Sequence, residues 1–390
     1  MNLEKINNSF NKLKCYCEDA SFKGYDPYDG LNSKLFRQIP ILKKSVFAKL
    51  CWIQFFKKSP VNFRKLAWVE PGFNSKAVGL FLSTYCEMYK FSPVKETFNK
   101  MNYLVEKLLY LKSNQYSNSS WGYNFDWQSR AFYQPANTPN IVTSSFVANA
   151  ILDMYDITGD EKLLLEVRST GDFIINDLNR TFDKSGNIAF SYSPLDYSVV
   201  YNASLLGARL LARIYSKTQE IELLNISKSV LKYCCQKQNT NGSWSYGTFS
   251  FHKWIDNFHT GYNLECISDY AKFTNDNSFN QNLTLGFDYY INNFFTEQGL
   301  PKYYNNNLYP IDIHSSAQLV ITLHKLDKMD EYKALLDKLL NWTIDNMQSK
   351  NGSFFYQKKK YYTIKIPYMR WSQAWMMLSM SIYLSHFNKK

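Results

Sequence analysis

The stretch Asn241-Gly-Ser-Trp-Ser-Tyr246 decides the fold, because related turns recur along the chain. Each of them has a glycine that is followed within four residues by an aromatic ring. The other four turns are Ser119–Tyr123, Ser185–Phe190, Glu297–Tyr303 and Asn351–Tyr356. From Gly186 through Gly242 and Gly299 to Gly352, the steps are 56, 57 and 53 residues. A period of this length indicates stacked repeats of one structural unit.

The repeated unit is a pair of helices. A second helix lies ahead of each turn, as in Leu163–Leu178 and Leu335–Met347, and a loop of variable length leads from each turn into a first helix. First helices are predicted at Ile141–Tyr155, Val199–Tyr215, Phe258–Tyr270, Ile313–Leu326 and Tyr368–Leu384. The small numbers of Gly and Pro, 15 and 11 in 390 residues, also favour long helices over many short strands.

The number of helices favours a closed ring. Another first helix begins near Ser75, which makes six, but only five second helices follow them, and the helix predicted over residues 1–20 supplies the sixth partner. The C-terminal stretch Arg370–Met377 is apolar and aromatic like a buried inner helix, whereas an open solenoid usually ends in polar capping repeats. We therefore predict an all-α fold, an (α/α)6 toroid of six helical hairpins closed by the N-terminal helix. Residues 1–60 are predicted to pack on the ring and close it, and residues 61–390 to form the toroid, within a single domain overall.

Charge and composition limit the class of protein and its partners. The net charge is +12, and nine Lys or Arg with no acid lie between Lys34 and Lys65. This run is suited to peripheral contact with an anionic membrane, and its confinement to one segment argues against nucleic-acid binding. No signal-peptide pattern, no run of 18 apolar residues and no disulfide or metal pattern among the seven cysteines occurs. We expect a reduced, cytoplasmic protein without metal or cofactor; its oligomeric state stays open.

In a toroid, every loop from an outer helix into the next inner helix emerges at the same end of the ring. These are the long loops here, and they carry most of the unusual polar and aromatic residues. The stretch Trp254–Glu265 concentrates Asp256, His259, Tyr262 and Asn263 at the start of a helix, where the last three share one face. Two interpretations stay open: a site that holds and protonates a polar substrate, or a helix cap followed by a buried histidine.

Rings combined with carboxylates, amides and imidazoles are typical of carbohydrate sites, because sugars offer apolar faces and rims of hydroxyls. Hydrolysis of a glycosidic bond needs two carboxyl groups, for which Asp126, Asp256 and Asp312 are the candidates. Epimerisation or elimination next to a carbonyl needs instead a base near neutrality, for which His259 and His314 are the candidates. We place hydrolysis of an oligosaccharide slightly ahead of epimerisation and elimination.

Further residues of the same loops and helix starts are predicted to bind the substrate. Arg130 and Arg370 are expected to hold an anionic group, and the tryptophans to stack on sugar faces. The set is Trp127, Arg130, Asn140, Tyr192, Asn202, Trp254, Tyr262, Asn263, Tyr368, Arg370, Trp371 and Gln373.

Six motifs, spread over nearly the whole chain, carry a resemblance. They are Gly24–Ser33, Trp121–Trp127, Thr138–Asn140, Trp254–Asn263, Tyr309–His314 and Ile366–Trp371. Together they resemble a family of bacterial toroid proteins found among genes for capsule and O-antigen polysaccharides. The resemblance implies a glycan-processing role in surface-polysaccharide biosynthesis, on a substrate that is anionic or lipid-linked. It does not choose the reaction, since six-hairpin glycosidases, sugar 2-epimerases and uronyl C5-epimerases are similar in fold.

Two other classes of function remain as alternatives. A glycan-binding or scaffolding protein would use the aromatic residues without catalysis. The turn Gln238–Trp244 resembles the repeat of terpenoid cyclases and prenyltransferases, which share the toroid. The sequence lacks the Asp-x-Asp-Asp cluster of the cyclases, and no loop at the mouth carries the cysteine of a prenyltransferase zinc site. This alternative is therefore the weakest.

Overall fold

The computed structural model describes residues 2–388. Along these residues the chain forms fifteen α-helices. They are α1 (Asn2–Asp19), α2 (Lys34–Arg37), α3 (Pro40–Lys44), α4 (Val46–Lys58), α5 (Ser75–Phe91), α6 (Lys95–Tyr110), α7 (Ile141–Thr158), α8 (Glu161–Asp172), α9 (Tyr201–Thr218), α10 (Ile221–Cys235), α11 (Asn257–Thr274), α12 (Asn280–Phe294), α13 (Ile313–Lys325), α14 (Lys333–Met347) and α15 (Trp375–Phe387).

Six of these helices form a closed inner ring. In the order α5, α7, α9, α11, α13 and α15, each helix packs against the next, and α15 packs against α5. Around this ring lie α6, α8, α10, α12 and α14, each packed on the inner helix that precedes it in the chain. The predicted (α/α)6 toroid is confirmed, and five of the inner helices begin within two residues of the predicted starts. The sixth, α15, begins at Trp375 instead of Tyr368, because residues Met369–Ala374 form a π-helical turn ahead of it.

The N-terminal helix completes the outer ring. α1 packs against α14 and α15, so the first and last helices of the chain are neighbours. Ser9 Oγ donates a hydrogen bond to Gln348 Oε1 at 2.6 Å, and Gln348 Nε2 returns one to the Ser9 carbonyl at 3.0 Å. The last repeat turn meets α1 so closely that a Cβ on Gly352 would lie 2.3 Å from the Lys12 carbonyl oxygen. Glycine is therefore required where the ring closes.

Burial separates the two rings as their sequences predict. In α9 every residue from Tyr201 to Ile214 is buried, as expected of a helix with neighbours on all sides. In α6 the buried apolar residues Met101, Leu104, Val105 and Leu108 recur at three- and four-residue spacing, which is the pattern of a helix with one face in solvent. None of the helices in residues 2–388 combines the length and apolar character that crossing a bilayer requires.

The strands are short and lie in the loops and turns. They are β1 (Trp127–Gln128), β2 (Tyr133–Gln134), β3 (Arg180–Phe182), β4 (Ile188–Phe190), β5 (Ile311–Asp312), β6 (Gln357–Lys358) and β7 (Thr363–Ile364). They pair antiparallel as β1–β2, β3–β4 and β5–β6–β7. The prediction of a helical protein without a substantial sheet is confirmed.

Residues 20–74 connect α1 to the first inner helix and lie over one end of the ring. The sequence from Ser33 to Phe56 predicts one helix with a break near Pro40, and the structure has three helices there, α2, α3 and α4. Pro40 begins α3, because the first position of a helix does not need a backbone N–H. α4 packs beside β1 and contributes Ile53 and Lys57 to the wall of the cavity described below.

Candidate active site

A cavity of about 460 Å³ opens at the end of the ring where the long loops enter the inner helices. Its wall is largely aromatic. The rings belong to Tyr28, Tyr123, Phe125, Trp127, Phe132, Tyr192, Tyr246, Phe251, Trp254, Phe258, Tyr262, Tyr303, Tyr304 and Trp371. The volume lies in the range of small-molecule sites, and such a wall suits a ligand with apolar faces and polar edges.

The wall contains basic side chains and no acidic ones within residues 2–388. Lys57, Lys76, Arg130 and Arg370 line the cavity together with three histidines, and no Asp or Glu of residues 2–388 does so. The two facing carboxyl groups that glycosidic hydrolysis requires are therefore not found in the wall of the main cavity.

The start of α11 holds a carboxylate–imidazole pair. Asp256 is the N-cap, and its Oδ1 accepts the backbone N–H of His259 at 3.1 Å. Both oxygens of the same carboxylate also lie at 3.0 and 2.9 Å from Nδ1 of the His259 ring. The Asp256 side chain is fully buried, whereas that of His259 is 21% exposed and lines the cavity. A carboxylate at Nδ1 favours the tautomer with its proton there, which leaves the Nε2 lone pair available as a base. Asp256 is therefore both helix cap and partner of the histidine.

The start of α13 has the same residue types in a different arrangement. Asp312 caps the helix by accepting the backbone N–H of His314 at 2.9 Å. Its carboxylate does not bond the His314 ring; it accepts Trp371 Nε1 at 2.9 Å and Gln357 Nε2 at 2.5 Å. Burial raises the pKa of Asp312, against the lowering effect of these hydrogen bonds. Asp312 therefore ties three elements together and lies behind the cavity wall.

His314 is a buried, stacked imidazole. It lies between the rings of Phe258, at 4.4 Å and 9°, and Trp375, at 4.3 Å and 27°. Its Nε2 is 2.9 Å from the Tyr262 hydroxyl, and its Nδ1 has no partner among residues 2–388. Burial holds the pKa of His314 well below its usual value, and the nearby positive charges of Lys76 and Arg370 act in the same direction. The ring is therefore neutral at physiological pH.

The structure brings ten of the predicted site residues to the cavity and places the other seven behind it or beside it. The ten that line the cavity are Trp127, Arg130, Tyr192, Asn202, Trp254, His259, Tyr262, His314, Arg370 and Trp371. Asp256 and Asn263 line a smaller adjoining cavity of about 10 Å³, which has room for one water molecule next to His259.

The remaining five predicted residues have structural contacts. Asp126 accepts Arg37 Nη2 at 3.1 Å and the Ala136 backbone N–H at 2.8 Å, and Asp312 is described above. Asn140 caps α7. Tyr368 and Gln373 bond the backbones of Phe56 and Phe354. These side chains are polar because helix starts and loop crossings need hydrogen-bond partners. Their assignment to substrate or catalysis has no support in their contacts.

Arg370 lines the cavity, but its charge is already balanced. Its Nε and Nη2 bind the two oxygens of Asp26 at 2.6 and 2.8 Å, and both side chains are buried. Asp29, three residues further on, is buried against Arg64 at 2.7 Å, and burial raises its pKa to about 6. The expectation that Arg370 holds an anionic substrate group therefore needs revision, because a bidentate partner occupies its guanidinium.

Sequence reasoning missed several residues of the wall. Tyr246 stacks on Trp254 at 4.2 Å and 17°, and it belongs to the repeat turn that was used only for the fold. Phe258 contacts both His259 and His314, with ring centroids 4.3 and 4.4 Å apart. Lys76 gave no local signal, because a lysine at the second position of a helix is ordinarily exposed.

No protein-family model matches the sequence, and a search of curated proteins found no match. Solved structures are similar in fold. A cellobiose 2-epimerase from Bacillus thermoamylovorans superposes with a TM-score of 0.62 at 12% identity, over 82% of this chain and 88% of that one. An unsaturated glucuronyl hydrolase specific for heparin gives 0.60 at 14%, over 81% and 87%. A GH76 α-mannanase from Bacteroides thetaiotaomicron gives 0.61 at 11%, over 83% and 89%. Similarity at these identities shows the toroid fold.

Proposed function

We propose that this protein is an enzyme that acts on a carbohydrate and moves a proton at a carbon next to a carbonyl group. The observation that carries the proposal is the pair Asp256–His259 at the cavity, in which both carboxylate oxygens lie within 3.0 Å of Nδ1. A histidine held in this way is oriented as a general base, and the carboxylate stabilises the imidazolium that forms.

The reaction uses two groups of the wall. His259 Nε2 takes the proton from the carbon next to the carbonyl of an open-chain sugar. The Tyr262 hydroxyl, held at 2.9 Å by neutral His314, is the second group and returns a proton to the intermediate. Return to the opposite face of the same carbon gives the epimer. Return to the neighbouring carbon, together with transfer of the hydroxyl proton from the C2 oxygen to the C1 oxygen, gives the isomer.

Epimerisation or isomerisation now ranks ahead of hydrolysis, reversing the order suggested by the sequence. The change rests on the absence of Asp and Glu from the main cavity wall within residues 2–388. The fold neighbours are carbohydrate enzymes of both kinds, an epimerase and hydrolases, and they support the substrate class. The resemblance of the six sequence motifs to surface-polysaccharide proteins supports a capsule or O-antigen precursor as the natural substrate.

Deuterium exchange tests this function. The protein is incubated in D₂O with glucose, mannose and cellobiose, and C2 deuteration and epimer formation are followed by NMR. We expect exchange by the wild type and a loss of about 10²–10⁴-fold in His259→Gln. His324→Gln is the control, because His324 lies outside the cavity wall and, like His259, is partly buried.

The other outcomes separate the alternative functions. New reducing ends from α-mannan oligosaccharides, without deuterium at C2, would show that the protein is a hydrolase. Saturable sugar binding with neither product would show that it only binds glycans.

A second proposal concerns location: the surface of α3 and α4 contacts an anionic membrane, where lipid-linked sugars are presented. Ile41 and Phe47 are 81% and 77% exposed, and the exposed Lys43 and Lys44 lie between them in the chain. Exposed apolar side chains flanked by lysines suit an anionic lipid surface. Flotation with phosphatidylglycerol vesicles tests it: binding should fall in Lys43→Gln/Lys44→Gln and in Phe47→Ser. Equal flotation of all three proteins would reject it.

A further inference from the structure

Lys76 is a buried lysine at the centre of the ring. It lies in the first turn of α5, is 4% exposed and lines the cavity. Its Nζ is 3.9 Å from the centroid of Phe146 on α7, 5.3 Å from that of Tyr262 on α11 and 5.2 Å from that of Trp375 on α15. Because α11 is not a neighbour of α5 in the inner ring, the amine reaches across the interior at the base of the cavity.

Lys76 differs from the other buried cations in having no anionic partner. Arg64, Arg209, Arg213 and Arg370, which complete the buried cations of residues 2–388, each lie within 4 Å of at least one carboxylate oxygen. No hydrogen bond or ion pair within residues 2–388 involves the Lys76 amine. A buried charge without a partner is costly, so its retention at a cavity is a functional signal.

The surroundings of this amine favour an anion over a neutral or cationic group. Lys57 and Arg130 also line the cavity, and neither forms an ion pair with a carboxylate within the described residues, whereas Asp26 already balances Arg370. The wall therefore has more basic than acidic side chains, and an anionic ligand would be attracted to it. Three aromatic faces exclude water around the amine, which strengthens any charge–charge contact made there.

We propose that Lys76 anchors the anionic group, a carboxylate or a phosphate, of a sugar that enters the cavity. That the ligand is a sugar rests on the function proposed above, whereas the anion site itself follows from the buried amine without an anionic partner. It assigns to Lys76 the role that sequence analysis gave to Arg370. A carboxylate and a phosphate would bind in the same way, with one anionic group in direct contact with Nζ.

A proton accompanies the anion. Burial, and then the charge of Arg370, hold the pKa of Lys76 well below its ordinary value, while Asp26 and Glu265 act weakly in the opposite direction. Two other titratable groups interact with Lys76: His314, whose pKa the lysine lowers, and Glu265, whose pKa burial raises to about 7. An anion at Nζ raises the lysine pKa, so binding takes up a proton from solution at any pH between the free and the bound value.

Isothermal titration calorimetry tests this with glucuronate, glucose 6-phosphate and glucose, in Tris and in HEPES, whose ionisation enthalpies differ. For the wild type we expect one or both anionic sugars to bind about 10- to 100-fold more tightly than glucose, with net proton uptake. If glucuronate binds more tightly than glucose 6-phosphate, the natural anionic group is a carboxylate; the reverse order indicates a phosphate. Lys76→Met should lose most of the preference for anionic sugars and the proton uptake of the lysine. Lys76→Arg should keep the preference and lose the proton uptake, because arginine is always charged.

Lys359→Met is the matched control. Lys359 is a partly buried lysine, and burial also lowers its pKa, but it bonds Gln357 and does not line the cavity. Equal affinity for charged and neutral sugars in the wild type, or an unchanged preference in Lys76→Met, would overturn the proposal. These titrations do not depend on turnover. If the wild type prefers anionic sugars but shows no C2 exchange, the role of Lys76 is supported and the proposed function is not. If it exchanges neutral sugars without preferring anionic ones, the proposed function is supported and the role of Lys76 is not.

Discussion

The starts of α11 and α13 share a local sequence pattern and serve different purposes. In both, an Asp caps an inner helix and a His follows within three residues. In α11 the carboxylate of Asp256 also binds the His259 ring, and that ring reaches the cavity with 21% of its side chain exposed. In α13 the carboxylate of Asp312 binds Trp371 and Gln357 instead, and His314 is buried between two aromatic rings.

The comparison shows that the contacts a capping carboxylate makes besides the cap depend on the residues around it. The cap uses a single lone pair of the carboxylate, and the remaining lone pairs bind whichever donor the fold brings near. The imidazole is that donor at α11. At α13 the donors come from the β5–β6 pair and from the last inner helix, which turns Asp312 into a structural bridge.

The largest expected effect is a difference in the rate of C2 exchange between variants of Asp256 and Asp312. Asp256→Asn keeps the helix cap, since Asn caps about as well as Asp, but it loses the charge that orients and stabilises His259. We expect the rate of C2 exchange to fall about 10²–10⁴-fold. Asp312→Asn should change the rate less than about tenfold, because it touches neither His259 nor the cavity directly. Equal losses in the two variants would show that both carboxylates act in catalysis.

Substitution of Asp312 should lower the unfolding free energy more than substitution of Asp256, which is the opposite of their order in catalysis. Asp312→Ala removes a cap and leaves buried donors of Trp371 and Gln357 unpaired, so we expect a loss of about 3–5 kcal/mol in unfolding free energy. Asp256→Ala removes a cap and the partner of a partly exposed ring, at about 1–2 kcal/mol. Urea unfolding followed by circular dichroism measures both. A larger loss in Asp256→Ala would contradict the structural role of Asp312.

The buried histidine should make stability depend on pH. The folded pKa of His314 lies well below its unfolded value near 6.5, so the folded protein binds fewer protons than the unfolded one. Its contribution is therefore complete above pH 6.5 and is lost as the pH falls toward the folded pKa. Between pH 7 and pH 5 the wild type should lose more unfolding free energy than His314→Gln, because only the wild type has this histidine to protonate on unfolding.

The control for this pH effect is a second histidine. Burial lowers the pKa of His324 to about 4, so it contributes in the same direction in both proteins and cancels in their difference. Urea unfolding at pH 7, 6 and 5 measures the slopes, and His324→Gln should flatten the slope in the same sense. An identical slope in the wild type and His314→Gln would mean that His314 is not held neutral.

The smallest effect concerns the hydroxyl that joins the two regions. Tyr262→Phe removes the partner of His314 Nε2, and we expect a loss of about 1 kcal/mol in unfolding free energy. Tyr290→Phe is the matched control, since its buried hydroxyl donates to Asn257 Oδ1 at 3.2 Å and does not line the cavity. Both variants should lose similar stability, but only Tyr262→Phe should slow C2 exchange. A similar slowing in both would remove Tyr262 from the proposed chemistry.

The fold could be predicted because its signals are periodic and local. The glycines at 186, 242, 299 and 352 all have positive φ angles, between 79° and 92°, so the motif that sets the period also sets a turn geometry. The closure by α1 followed from counting helices. The break of residues 33–56 into three helices was only partly predicted: Pro40 marks one break, whereas the N-cap signal of Ser45, which accepts the Ala48 N–H at the start of α4, was not used.

The candidate site could be predicted only as a region. The sequence placed aromatic and polar residues at one end of the ring, and ten of the predicted side chains line the cavity there. It did not distinguish a capping Asn140 from a ligand-facing Asn202, because both stand at the start of an inner helix. It also gave no sign of Lys76.

The sequence by itself therefore determined the repeat, the ring and the end of the ring where the site lies, because each depends on spacing along the chain. Only the tertiary structure decided the roles of the side chains. It paired Asp26 with Arg370 across 344 positions and left Lys76 unpaired among rings from three other helices. The physical reason is that a charged group acts according to its burial and its nearest partners. In a closed ring, those partners come from helices that are distant in sequence.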